Sequence, residues 1–128
     1  MNKYGTASVL AVRLFQNGEA GSPEHAWELA TTRIFGLNTP SQKKNCPKNA
    51  FLGLCEDGLV KGIPKGIYTR SKKNKKYAVK AVSLLKSNPA LSSNQTSLWN
   101  IIQDGIPKKH NSQIDVAVSL WNNNLIII

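Results

Sequence analysis

Ala7-Ser8-Val9-Leu10-Ala11-Val12-Arg13-Leu14-Phe15 returns later in the chain as Tyr77-Ala78-Val79-Lys80-Ala81-Val82-Ser83-Leu84-Leu85. Around the first copy, Tyr4, Ala7, Ala11, Leu14 and Phe15 fall on one face at helical spacing. Two further segments recur in the same order. Ala26-Trp27-Glu28-Leu29-Ala30 is answered by Leu98-Trp99-Asn100-Ile101-Ile102. The run from Ala50 to Val60 is answered by the run from Val116 to Ile126. The pattern predicts an all-α fold of six helices, arranged as two similar three-helix units in a pseudo-twofold internal repeat around a shared core. The core candidates are Trp27, Phe51, Leu54, Leu84, Trp99, Leu120 and Trp121.

Working outward, the breaks between helices are marked by local chemistry. Ser22 before Pro23 is a helix start, with Pro at the first helical position. Pro47 opens the third helix, Asn94 caps the fifth, and Ser112 with Asp115 three residues on has the capping-box pattern. Gly18, Gly36 and Gly105 stop helices, and Pro89 ends the fourth, which runs from about Lys72 to Ser87. Gly62, Pro64 and Gly66 keep residues 61–71 out of regular helix and make them a connector. The expected organisation is a single domain, 1–128, with internal units of about 3–60 and 72–128. Apolar residues close each unit, Leu59-Val60 in the first and Leu125 to Ile128 in the second, the latter as an extended tail against the core.

With 128 residues, half the chain would be small for an independent core, so packing the halves together is the natural solution. No apolar run reaches the roughly 18 to 20 residues that span a bilayer. Arg13 interrupts the one N-terminal stretch that hints at a signal peptide, so a cytoplasmic protein with no membrane partner is expected. Cys46 and Cys55 are too few for a disulfide framework, and no Cys/His set has zinc spacing; the pattern calls for no metal and no cofactor.

The net charge is +10 and is unevenly placed. Residues 1–66 hold eight basic and five acidic side chains, residues 67–128 nine and two. Such a surplus attracts polyanions. Its sharpest concentration is Tyr68-Thr69-Arg70-Ser71-Lys72-Lys73-Asn74-Lys75-Lys76-Tyr77. Lysines in a first helical turn are opposed by the helix dipole, and a bound anion relieves that opposition. Lys72, Lys76 and Lys80 recur at i, i+4 and i+8, with steps of about 6 Å along the axis. Tyr68 and Tyr77 either stack on a base or fill the edge of the core. Lys43-Lys44 and Lys108-Lys109 precede the third and sixth helices at matching places in the repeat.

These features point first to a non-enzymatic protein that grips the DNA or RNA backbone with low sequence specificity. The site residues are Arg70, Lys72, Lys73, Lys75, Lys76, Lys80, Lys43, Lys44, Lys108, Lys109 and Tyr68. Three arginines in the whole chain argue against base readout. A second reading is a protein-interaction module, a homodimer or the partner of an acidic protein. A third is a cysteine-dependent enzyme using Cys46, with His110 as base and Asn111 to orient it, if the two helix entrances meet.

Several strings carry a resemblance as a set. They are Cys46 to Cys55, Gly58-Leu59-Val60-Lys61-Gly62-Ile63, Asn74-Lys75-Lys76-Tyr77-Ala78 and His110-Asn111-Ser112-Gln113-Ile114-Asp115-Val116. Together they resemble a family of small bacterial proteins of unknown function, over nearly the whole chain. The resemblance implies a bacterial cytoplasmic origin and brings no activity, ligand or catalytic residue.

Overall fold

Side chains at the helix starts set much of the element order, because a helix N-terminus leaves free N–H groups that need acceptors. The computed structural model describes residues 2–103 and 112–128. Helix α1, Lys3–Gln16, is opened by Asn2, whose Oδ1 accepts from the N–H of Tyr4 at 2.7 Å. Helix α2, Pro23–Phe35, is capped by Ser22, whose Oγ accepts from the His25 N–H at 3.0 Å. Helix α4, Lys72–Ser87, has Ser71 as its cap, and α5, Gln95–Ile102, has Asn94, accepting from the Ser97 N–H at 3.1 Å. The sequence supplied all of these but the caps of α1 and α4.

Two starts differ from expectation. Helix α3, Asn45–Glu56, begins before Pro47 and has no side-chain cap, so Cys46 lies inside its first turn. Helix α6, Gln113–Asn122, follows Ser112, whose φ of 67° is left-handed. An N-cap side chain normally reaches the helix from extended backbone, and at Ser112 no cap hydrogen bond forms. The capping box with Asp115 is therefore absent. A short 3-10 turn, Pro89–Ser93, also intervenes between α4 and α5.

Among the described residues the fold is all-α: six helices, no β-strand, and one isolated antiparallel bridge, between Val60 and Ile126. The helices share one cluster of buried side chains. Trp27 stacks on Phe51 with ring centroids 5.3 Å apart, and Leu54, Trp99 and Leu120 are buried with them. Leu84 and Trp121 only pack against the edge of the cluster. Trp121 stands where the first unit has the fully buried Cys55, and the larger indole is left partly uncovered.

The helices pair across the two halves. α1 lies against α2 and α6, and α4 against α3 and α6. Two of the inter-half crossings, α1 with α6 and α3 with α4, pass through a residue with no Cβ. A Cβ on Gly5 would overlap Ser119 Oγ, and one on Gly53 would come within 2.7 Å of Lys75 Cα. The chain leaves α3 and α6 in the same way. Leu59 N–H donates to Leu54 O at 3.1 Å after left-handed Gly58, and Leu125 N–H donates to Leu120 O at 3.0 Å after left-handed Asn124.

The exits then pair antiparallel. Lys61 N–H donates to Leu125 O and Ile127 N–H to Leu59 O, both at 2.8 Å. Val60 and Ile126 are buried at the bridge, while Ile128 is 93% exposed, so the tail is held through its middle. The packing is uneven elsewhere: α1 and α2 lie together along their length, whereas α5 makes only a limited contact with α4.

Candidate nucleic-acid interface

Helix α4 presents two chemically different flanks because its apolar residues fix its rotation. Ala78, Ala81, Val82 and Leu85 are buried, at helical spacing. That turns Lys72, Lys73 and Lys76 to solvent and leaves Lys80 half-buried. These four lysines, with Tyr77 and with Ile102 and Gln103 from the end of α5, line a hollow of about 430 Å³. Among the described residues no carboxylate lines it. Lys80 Nζ lies 3.5 Å from the carbonyl oxygen of Ile102, at the C-terminal end of α5, where the helix dipole favours a cation.

Lys75 lies on the other flank, where Lys72 and Lys76 also border a hollow that Glu56 and Asp57 line. Its ammonium is 2.6 Å from Glu56 Oε2 and 2.7 Å from Asp57 Oδ1, at the end of α3. These hydrogen bonds, Asp57's first and then Glu56's, raise the Lys75 pKa above its ordinary value. Lys75 donates in return to Glu56 and, with the Tyr68 N–H next, holds that carboxyl below the usual glutamate range. The sequence grouped Lys75 with its neighbours on the run; the crossing of α3 and α4 sets it apart, and its charge is matched locally.

Glu56 also organises the connector. Its Oε1 accepts from Tyr68 N–H at 2.8 Å and Thr69 N–H at 3.2 Å. Thr69 Oγ1 donates to Asn49 Oδ1 at 2.8 Å, and the Ser71 N–H donates to Thr69 Oγ1 at 3.1 Å. The start of α4 is thereby tied to α3. Neither Glu56 nor Asp57 stands out in the sequence as a site residue. The available signal was two acids just before a turn and a run of lysines soon after it.

The remaining candidates are scattered around this centre. Arg70 is exposed and borders a different hollow of about 380 Å³, with Glu24, Lys48 and Tyr68 among its lining. Tyr68 is committed to the connector, its hydroxyl donating to Pro64 O at 2.6 Å and its ring lying against Gly66. Tyr77 meets Trp99 edge-on, with centroids 5.2 Å apart, so it fills the core edge while also lining the lysine hollow. Lys43 borders a hollow of about 570 Å³ between α2 and α3. Lys44 sits over the Tyr4 ring, 5.7 Å from its centroid, in cation–π contact. Neither lines the α4–α5 hollow.

Lys108, Lys109, His110 and Asn111 lie outside the described residues. Cys46 is partly exposed in the first turn of α3. Cys55 is buried, and burial pushes its thiol far up, so it stays protonated. Among the described residues no three His, Cys, Asp or Glu side chains gather as a metal-ligand set, and no helix is long and apolar enough to cross a membrane.

Fold and site together define an all-helical protein with a cationic face built on one well-anchored helix. The chain belongs to DUF6979, a family of unknown function whose model matches residues 1–127. Comparison with curated proteins and with solved structures returns no match.

Proposed function

We propose that this chain binds nucleic acid through the phosphate backbone, with little sequence preference, using the face of α4 that carries Lys72, Lys73, Lys76 and Lys80. The observation that carries the reading is the separation of charge on that helix. Lys75 is matched by Glu56 and Asp57, whereas among the described residues no acid lines the hollow shared by Lys72, Lys76 and Lys80, although Lys72 and Lys76 also border the hollow that Glu56 and Asp57 line. Lys72, Lys76 and Lys80 rise by about one helical turn, or 6 Å, per step. Lysine holds phosphate as a point charge and reads no base.

On this reading the protein has one such face. Under the alignment of the two halves, Lys72, Lys76 and Lys80 correspond to Asn2, Thr6 and Leu10. Mixed-sequence DNA and RNA should both bind at low salt, and Lys72, Lys76 and Lys80→Ala together should weaken both alike. Absence of binding by the intact protein in about 50 mM salt defeats the proposal.

We further propose that the halves are copies related by a pseudo-twofold axis. Gly5 aligns with Lys75 and Gly53 with Ser119, so the close contacts Gly5–Ser119 and Lys75–Gly53 are equivalent under exchange of the halves. The bridge joins Val60 to Ile126, which are aligned to each other.

A further inference from the structure

Trp27 carries a buried polar atom without a hydrogen-bond partner, its indole Nε1–H. A buried donor left unsatisfied is costly, so it calls for a reason. One face of the ring is taken by Phe51, with centroids 5.3 Å apart. Trp27 also forms part of the wall of the hollow of about 570 Å³ between α2 and α3. That volume falls in the range of small-molecule sites, about 300 to 1,000 Å³. An indole N–H can only donate, so what satisfies it must accept.

Other donors converge on the same hollow. Helix α3 begins there, at Asn45, with no side-chain cap, so the positive end of its dipole is unanswered by a side chain. His25 Nδ1 accepts from the Gly21 N–H at 3.3 Å, which puts the proton of the neutral ring on Nε2. Lys43 brings an exposed ammonium to the lining. Lys48 is already shared between Glu24, at 2.9 Å, and Glu28, at 3.7 Å, and Glu28 itself lines the hollow. The balance suits one negative charge better than the several of a phosphate chain. Half-buried Leu29, with Leu37 at 70% exposure, adds apolar wall beside these groups.

We propose that this hollow binds a small organic carboxylate with an apolar body. One carboxylate oxygen accepts from Trp27 Nε1–H and the other meets Lys43, while the body rests against Leu29 and Leu37. Trp27 is 1% exposed, so the oxygen reaches Nε1 by displacing a side chain of the wall, and binding is an induced fit. No residue of α4 belongs to this lining, so the site stands apart from nucleic-acid binding.

The test uses the intact protein, labelled with ¹⁵N, and takes n-butyrate, benzoate and the neutral benzamide as probes. Three tryptophans give three indole N–H signals, and Trp27→Phe identifies the one that belongs to Trp27. Benzoate or butyrate should move that signal downfield, and benzoate should bind about tenfold more tightly than benzamide. Lys43→Ala, at an exposed position, should weaken benzoate about tenfold and leave the melting temperature unchanged. The proposal is overturned if neither acid binds at up to about 10 mM, if binding leaves the Trp27 signal in place, if benzamide binds as tightly as benzoate, or if Lys43→Ala keeps the native affinity.

Discussion

At the scale of single residues, Glu56 does more than its place in the sequence announces. It accepts from Lys75 and from two connector N–H groups at once, at a side-chain exposure of 16%. Hydrogen bonds to a charged group are worth about 1.5 to 3 kcal/mol each before solvent screening, and Lys75 is a quarter exposed, which discounts its share. Glu56→Gln should therefore cost about 1 to 3 kcal/mol in denaturant unfolding. The pH dependence has a definite sign. The folded chain keeps Glu56 ionised to lower pH than the unfolded chain does. The stabilisation is thus present above about pH 4.3 and is lost as pH falls through the depressed value. Lys75 works in the opposite direction, stabilising below about pH 10.4 and losing its share above. Thermal melts from about pH 6 down to 3 should fall less steeply for Glu56→Gln than for the native chain; parallel curves would remove Glu56 from the acid response.

The two cysteines give a second test at this scale. Cys55 is fully buried and Cys46 is not. A thiol reagent at neutral pH should titrate one group in the native protein and two after unfolding, and Cys46→Ser should remove the first. Two promptly reactive thiols in the native chain would contradict the packing of α3.

At the scale of elements, the signals legible in the sequence were those that depend on near neighbours. Ser22 with Pro23, Asn94, the stop at Pro89 and the apolar stripe of α4 all act within a turn or two. Ser112 and Lys75 show where such reading ends. Ser112 has the right chemistry for a cap, but its backbone adopts φ 67° and the side chain makes no cap bond. Lys75 sits in a run of lysines, and only the crossing of α3 over α4 decides that it meets Glu56 and Asp57. The hollow at the end of α5 was equally invisible, because Ile102 and Gln103 gain meaning only once the end of α5 comes beside α4.

The two helix crossings carry their own prediction. Alanine is favoured over glycine inside a helix by about 0.5 to 1 kcal/mol. At Gly53 the added methyl would press on the backbone of Lys75, which cannot move without separating the helices. Overpacking of this kind costs about 1 to 3 kcal/mol, so Gly53→Ala should destabilise despite the better propensity. Gly5→Ala, pressing on Ser119, should do the same by a comparable amount if the crossings are equivalent. A neutral or stabilising result at either position, read from urea unfolding midpoints, would show that the crossing is looser than described.

At the scale of the whole molecule, the helix order was legible because three apolar segments recur in sequence; burial matches best in the Trp-bearing pair, whereas Ala7, Val9 and Leu14 are buried and Tyr77, Val79 and Leu84 only partly so. Ala26, Trp27 and Ala30 are buried with Glu28 exposed, and Leu98, Trp99 and Ile102 are buried with Asn100 exposed. Charge does not follow the repeat. It collects in the second half, where Lys75 of α4 meets Glu56 and Asp57 while Lys73 and Lys80 line the hollow toward α5. That asymmetry makes one face of the molecule a candidate polyanion site and leaves the other half as its support.

The most direct test of that claim is the salt dependence of binding to a mixed-sequence DNA duplex, compared between the native chain and the Lys72, Lys76 and Lys80→Ala variant. Each neutralised phosphate contributes about 0.9 to the slope of log K against log salt. The account predicts that the variant's slope is shallower by about 2 to 3 units, with thermal stability little changed. Identical slopes for the two proteins would contradict it.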